Sequence, residues 1–147
     1  MVGNEWQTAV AVLRLASQLV DGIQDGLARL GFADVRPAHG FAFVRISAGD
    51  ATTARVAEHL GVTKQAGAQL VDYLVEHGYV ERQSNPADRR ERLLVLTDRG
   101  RACTVAAEAA AAATVASWAS RMAPPVFEEL KEALGLLADG GPLRPAW

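Results

Sequence analysis

The chain is poor in sulfur and in aromatic rings, with one cysteine, two methionines and 6% aromatic residues among 147. A single cysteine, Cys103, excludes an intramolecular disulfide and a cysteine-based zinc site. An excess of charge of one sign is missing too. Fifteen Lys and Arg against 17 Asp and Glu leave −2, so this is no polycation that coats nucleic acid indiscriminately. The longest charge-free apolar run, Ala109 to Ser120, is shorter than a bilayer span requires, and no membrane partner is expected. The start, Met1-Val2-Gly3-Asn4-Glu5, lacks a basic region, so no secretory signal is expected and the cytoplasm is the expected location. Gly-x-Ser-x-Gly, a phosphate-cradling glycine loop and His-Glu-x-x-His are all absent, and the three histidines are scattered. Neither catalysis, nor a metal, nor a cofactor is expected.

What is present is half hydrophobic and 22% charged, the balance of a core-forming protein, at a length near the roughly 150 residues of one domain. Trp6, Val10, Leu13, Val20, Ile23, Leu27 and Leu30 recur at three- and four-residue steps, which predicts a helix from about Trp6 to Leu30, stopped by Gly31. Val12, Leu15 and Leu19 form a second apolar line, so this helix needs partners on two sides. Pro37 opens a second helix to about Ser47. Thr52 or Thr53 caps a short one over 54–60, and Thr63 caps the next, Lys64 to His77. Glu58-His59 and Glu76-His77 each precede a glycine. Histidine there suits the negative end of a helix dipole better than a metal. After Gly78 the period falls to two. Tyr79–Ser84 and Arg92–Thr97 read as strands joined by the turn Asn85-Pro86-Ala87-Asp88. An alanine-rich helix from Asp98 to about Met122 and a last one from Val126 to Ala138 complete the chain.

Two short helices joined by Gly61-Val62-Thr63, with small Ala57 at their crossing, form a helix-turn-helix signal. The hairpin that follows makes it a winged helix. From Arg82 to Arg101 six arginines oppose Asp88, Glu91 and Asp98, a local +3 in an acidic chain. The expected fold is mostly α with a small β-wing: a winged helix-turn-helix core plus long terminal helices.

The stretches Leu60-Gly61-Val62-Thr63-Lys64-Gln65-Ala66, Leu70-Val71-Asp72, Gly78-Tyr79-Val80-Glu81-Arg82 and Asn85-Pro86-Ala87-Asp88-Arg89-Arg90, then Leu93-Leu94-Val95-Leu96-Thr97 and Gly100-Arg101, resemble the multiple-antibiotic-resistance regulator (MarR) family. The resemblance covers about residues 53 to 101. It implies one domain in which 35–97 form the DNA-binding lobe and 1–34 and 98–147 the dimerisation helices. The implied function is a homodimeric transcriptional regulator, most simply a repressor, that reads an inverted repeat in double-stranded DNA and is released by a small aromatic or amphipathic effector. The alternative is a winged-helix protein-interaction module without DNA binding. Three positions depart from the family pattern: Gly67 stands where relatives carry Val, Gly40 where an aromatic is usual, and His39 where Gln is frequent.

On the fourth helix Gly67, Leu70, Val71 and Leu74 read as inward, leaving Lys64, Gln65, Ala68 and Gln69 outward. Glutamine suits adenine and alanine a thymine methyl. Thr63 is expected both to cap and to touch a phosphate. By resemblance Arg90 is the wing arginine that enters a minor groove, oriented by Asp88, while Arg82, Arg89 and Arg92 are candidate phosphate contacts. His39, Phe43 and Trp118 are candidate pocket residues, with core filling as the simpler reading. Cys103, at the start of the fifth helix rather than in the first, reads as an inert thiol.

Overall fold

The computed structural model describes residues 3–138 and 140–143. Its elements are α1 (Gly3–Arg29), α2 (Pro37–Ser47), α3 (Thr53–Leu60), α4 (Lys64–Glu76), β1 (Val80–Ser84), β2 (Arg92–Leu96), α5 (Asp98–Ala119) and α6 (Pro124–Leu137). This is the mostly helical fold with a two-stranded wing that the periodicities predict. The ends of the two proposed dimerisation segments, residues 1–2, 139 and 144–147, lie outside the described residues. The described residues divide into two compact units, 34–105 with 141–143, and 3–33 with 106–138 and 140.

In the first of these units local chemistry sets each boundary. Pro37 occupies the first turn of α2, and the Arg36 N–H donates to His39 Nδ1 at 2.8 Å. Of the two candidate threonines, Thr52 caps α3, its Oγ1 accepting the Arg55 N–H at 3.3 Å. Gly61, at φ 67°, ends α3 in the left-handed region, and the Val62 N–H returns to the Ala57 carbonyl. Thr63 Oγ1 accepts the Ala66 N–H at 3.1 Å and starts α4. Val80 pairs with Leu96 and Ser84 with Arg92 in the antiparallel wing, and the Leu94 N–H donates to Ala51 O at 2.8 Å, tying the hairpin to the loop before α3. The strands stop one residue short of the sequence expectation at both Tyr79 and Thr97. Thr97 is drawn into capping α5: its Oγ1 donates to Gly78 O and accepts the Gly100 N–H.

The core is built from Ala42, Phe43 and Ile46 of α2, Val56, Ala57 and Leu60 of α3, Val71 and Leu74 of α4, and Tyr79, Val80, Leu94 and Leu96. Gly67 has a packing reason. A Cβ built there would lie 2.4 Å from Ala57 Cβ and 3.0 Å from Ala57 Cα, so α3 and α4 cross at near-backbone contact. Tyr79, fully buried, packs its ring on Phe43 at 5.8 Å and donates its hydroxyl to Asp34 Oδ1 at 2.5 Å. Arg99 Nη2 donates to the same hydroxyl at 2.8 Å and sits 3.6 Å from Asp34 Oδ2, while Arg99 Cζ lies 4.5 Å from the ring centroid. Tyr73 adds a second tie, its hydroxyl donating to Asp34 O at 2.5 Å.

In the other unit α1 and α5 meet at small residues. A Cβ at Gly22 would strike Thr114, and one at Gly26 would fall 2.4 Å from Ala110 Cβ. Of α1 only Gly26 and Leu27 are buried, and α6 buries no residue. Both apolar lines of α1 therefore lie largely open within one copy of the chain. α6 begins at Pro124 rather than at Val126, because proline favours the first turn of a helix. Among the described residues α5 alone is long and apolar enough to cross a membrane, at a mean hydropathy of 1.2 over 18 residues. The charge-free run alone suggested otherwise. The longer window passes because it tolerates Glu108 and draws its hydropathy largely from alanine.

Replacing Tyr79 by Phe keeps the ring and removes only the hydroxyl shared by Asp34 and Arg99. With Asp34 still partly open to water, the expected loss is about 1 kcal/mol, up to roughly 2. Urea denaturation should show it as a lower midpoint at unchanged slope.

Candidate nucleic-acid interface

Helical geometry separates two faces of α4. Gly67, Val71 and Leu74 are buried and Leu70 half-buried, whereas Lys64, Gln65 and Gln69 are exposed and Ala68 partly so. Thr63, at the exposed N-terminus, has its hydroxyl engaged by the Ala66 N–H. These five residues lie at the cap and in the first two turns of α4, where the backbone N–H groups of the first turn add partial positive charge. Asp72 lies further along the helix and is ion-paired to Arg82.

The wing tip is shaped by its own side chains. Asn85 is buried, and its Oδ1 accepts the Ala87 N–H at 3.0 Å, closing a turn around Pro86. Asp88 repeats the device, with Oδ1 accepting the Arg90 N–H at 2.9 Å while its carbonyl accepts from Glu91. The Asp88 carboxylate thus organises backbone at the tip and holds Arg90 only loosely, with Nε 3.9 Å away. Arg90 itself is 95% exposed. Arg89 and Arg92 are exposed beside it.

The six arginines of the sequence count fall into two groups. Arg82 pairs with Asp72, Arg99 serves Asp34 and Tyr79, and Arg101 pairs with Asp98 and donates to Leu96 O. Arg89, Arg90 and Arg92 stay at the tip. Positive charge is therefore focused more narrowly than the +3 over 82–101 suggests, and Arg82, counted there as a phosphate contact, is engaged with the recognition helix.

The candidate pocket residues are not brought together within one unit. His39 and Phe43 are buried in the core of residues 34–105, while half-buried Trp118 belongs to the other unit. The His39 ring stacks on Tyr73 at 4.7 Å, and Tyr73 on His77 at 3.8 Å. Burial, aided by the Arg36 charge and opposed by Asp34, lowers the pKa of His39 to about 4. Neutral His39 uses Nδ1 as acceptor, so its proton sits on Nε2. Gly40 beside it faces open space. A groove of about 640 Å³ lies between α1 and α5, lined by Gly22, Asp25, Gly26, Arg29, Ala110 and Thr114 among others, and none of the three candidates borders it. Sequence reasoning missed it because only the helix crossing reveals it.

His77 follows the capping expectation, its Nδ1–H donating to Tyr73 O at 2.8 Å, whereas His59 Nε2 meets Leu143 O at 2.8 Å instead. Cys103 is buried, and burial raises its thiol to about 11, which keeps it protonated. The Tyr79 hydroxyl holds Asp34 below the usual carboxylate range, and burial raises Tyr79 itself. No group of three metal-ligating side chains exists among the described residues. The Asp34–Tyr79–Arg99 cluster also went unpredicted, since its members lie 45 and 20 residues apart in sequence.

Residues 34–91, which hold the helix-turn-helix and most of the wing, match the MarR family. No curated protein matches the chain at a significant level. Among solved structures, a protein of Mycobacterium tuberculosis superposes with a TM-score of 0.74 at 25% identity, covering 92% of this chain and 90% of its own. A MarR family protein of the same organism, in complex with salicylic acid, gives 0.63 at 28% identity, covering 87% and 93%. That MarR family protein in complex with DNA gives 0.66 at 25% identity, covering 89% and 97%.

The His39 environment generates a pH dependence of stability. Its folded pKa lies below the unfolded value of 6.5, so the stabilisation is complete above pH 6.5 and is lost as pH falls toward about 4. The loss is on the order of 2–3 kcal/mol. Gln at this position can still accept the Arg36 N–H and does not titrate. His39→Gln should therefore flatten the decline of thermal midpoint between pH 6.5 and 4, read against wild type by calorimetry.

Proposed function

Taking as premise that the chain belongs to the MarR family of winged-helix regulators, we propose that it is a homodimeric, sequence-specific DNA-binding repressor of the cytoplasm, released by a small aromatic or amphipathic effector. One observation carries the DNA-binding part. A polar face of α4, with Gln65 and Gln69 open and the opposite face in the core, accompanies a wing tip where three exposed arginines outnumber Asp88 and Glu91. Glutamine amides suit adenine edges in a major groove. A guanidinium on a turn-braced loop suits a narrow minor groove, where width rather than base identity is read. The M. tuberculosis relative at 25% identity is seen with DNA, which supports the reading.

Dimerisation rests on exposed apolar side chains. Trp6 is 68% exposed, Leu13 64%, Leu136 81% and Leu137 83%. Each would contribute about 1.5–3 kcal/mol on full burial in a second copy. A twofold dimer presents two copies of α4 to an inverted repeat with half-sites about one helical turn apart. The effector part draws on the salicylic acid bound by the relative at 28% identity. In this chain the α1–α5 groove offers space, with Arg29 as a counter-charge for a carboxylate. His39, Phe43 and Trp118 remain the other candidates, with Gly40 leaving room beside the first two.

Gly67, a glycine inside α4, is a poor helix former, which taken alone favours the alternative of a protein-interaction module. The contact with Ala57 gives that glycine a packing reason instead.

Multi-angle light scattering at micromolar concentration is expected to report twice the mass of the chain, and a stable monomer would refute the dimer. On duplexes selected by the wild type from a random pool, Arg90→Ala should weaken binding to all sequences alike and lower the salt slope by about 1 per copy. Gln69→Ala should cost about 1–3 kcal/mol on the best duplex, relax preference at one base pair per half-site and leave the salt slope alone. Binding that is indifferent to both salt and sequence would favour the protein-interaction module.

A further inference from the structure

Gly67, near the N-terminal end of α4, is buried on the face opposite to exposed Gln65 and Gln69. Any side chain there meets a neighbour that cannot rotate away. A Cβ would stand 2.4 Å from Ala57 Cβ, 3.0 Å from Ala57 Cα and 3.4 Å from Ala57 N. Two of those atoms are backbone, and the third is fixed to it. Ordinary contact begins at 3.4 Å, so even one methyl group requires α3 and α4 to part by about 1 Å (3.4 − 2.4).

Such a parting would not be shared evenly along α4. Its C-terminal half is held at several points: Tyr73 donates to Asp34 O, Asp72 pairs with Arg82, and Leu74 is fully buried, its carbonyl accepting the Tyr79 N–H. Its N-terminal half is held by the Gly61–Thr63 turn and by the Gly67 crossing itself. Pressure at Gly67 therefore displaces the end of the helix that carries the exposed glutamines and leaves the other end anchored.

We propose that the Gly67–Ala57 crossing is a positioning element that sets how far the α4 glutamines project beside the wing, and thereby the base preference of the chain. This rests on the DNA-binding reading above. Gly67 touches no DNA in this scheme and carries no charge, so its effect is confined to the reading of bases. A bidentate amide contact depends on hydrogen-bond distances that a shift of about 1 Å breaks, whereas a flexible arginine on a phosphate follows such a shift.

The test compares three full-length chains, wild type, Gly67→Ala and Ala57→Gly/Gly67→Ala, on duplexes that the wild type selects from a random pool. Gly67→Ala is expected to fold, alanine being the better helix former. It should lose about tenfold or more on the selected duplex, with unselected duplex and salt slope unchanged. The double variant moves the methyl group from one side of the crossing to the other, removes the 2.4 Å contact while the 3.0 Å approach to the Cα of residue 57 stays, and should recover most of the affinity and of the base preference. Wild-type affinity and preference in folded Gly67→Ala would overturn the proposal. So would parallel losses on selected and unselected duplex, the mark of a general fold defect. If Gly67→Ala misfolds, the double variant decides: recovery of fold and selectivity supports the crossing, and failure of either refutes it. Failure of the wild type to select any sequence would instead refute the DNA-binding reading itself.

Discussion

The lobe holding the helix-turn-helix is organised around a single phenol. Tyr79 begins where α4 has just ended, and its N–H closes that helix on the Leu74 carbonyl while its own carbonyl accepts the Thr97 N–H. Its ring fills the space beside Phe43 of α2, and its hydroxyl joins Asp34 before α2 to Arg99 in α5. Gly100 is demanded by the same residue, since a Cβ there would come 2.2 Å from the Tyr79 carbonyl oxygen. A buried hydroxyl without partners would cost more than its hydrogen bonds return. Here one donor and one acceptor role are both filled, by a carboxylate and a guanidinium that in turn neutralise each other. Among the described residues no buried side-chain polar atom is left unsatisfied, so the polar cluster fixes the lobe without the usual penalty.

With that centre fixed, the polar face of α4 and the wing tip become consequences of geometry. Tyr73 and Leu74 hold the far end of α4, Arg82 holds β1 to it through Asp72, and Ala51 holds β2 to the loop before α3. The tip between the strands then needs only local turns, supplied by Asn85 and Asp88, to present Arg90. Loops of this kind carry recognition groups well because the scaffold beneath them is rigid and the exposed tip has no packing role of its own.

Much of this was legible in the sequence, and the unread part has one common cause. Thr63, Pro37, Gly61 and the Asn85–Asp88 turn act within a few residues of themselves, so propensity and capping rules place them to within about one turn. The inward and outward faces of α4 follow from the 3.6-residue period, and Gly67, Val71 and Leu74 are buried as that period requires. The Tyr79 cluster, the pairing of Arg82 with Asp72 and the reason for Gly67 join residues distant in sequence, and no local pattern marks them. Gly67 shows the difference most directly: read along the chain it is only a poor helix former, and the Ala57 methyl that requires it is visible only across the crossing. His39 had two readings, pocket and core. Its depressed pKa reflects the depth at which it sits, against Tyr73.

The distribution of arginine bears on how an acidic chain could bind a polyanion at all. At −2 the net field of the chain opposes approach to DNA, but at physiological salt that field is screened beyond about 8 Å. Only charges at the contact surface then matter. There the fold has separated its arginines by role: Arg82, Arg99 and Arg101 are neutralised by Asp72, Asp34 and Asp98, and Arg89, Arg90 and Arg92 are left at the wing. Phosphate contacts are common to random and selected sequence, so a weak net attraction of this kind lowers both affinities by the same factor and leaves their ratio to the contacts with bases. In the proposed DNA-binding reading the acidic balance of the chain thus limits strength and leaves selectivity unchanged. Discrimination then falls, in that reading, to the uncharged groups on α4, whose position against α3 is set at the Gly67–Ala57 crossing.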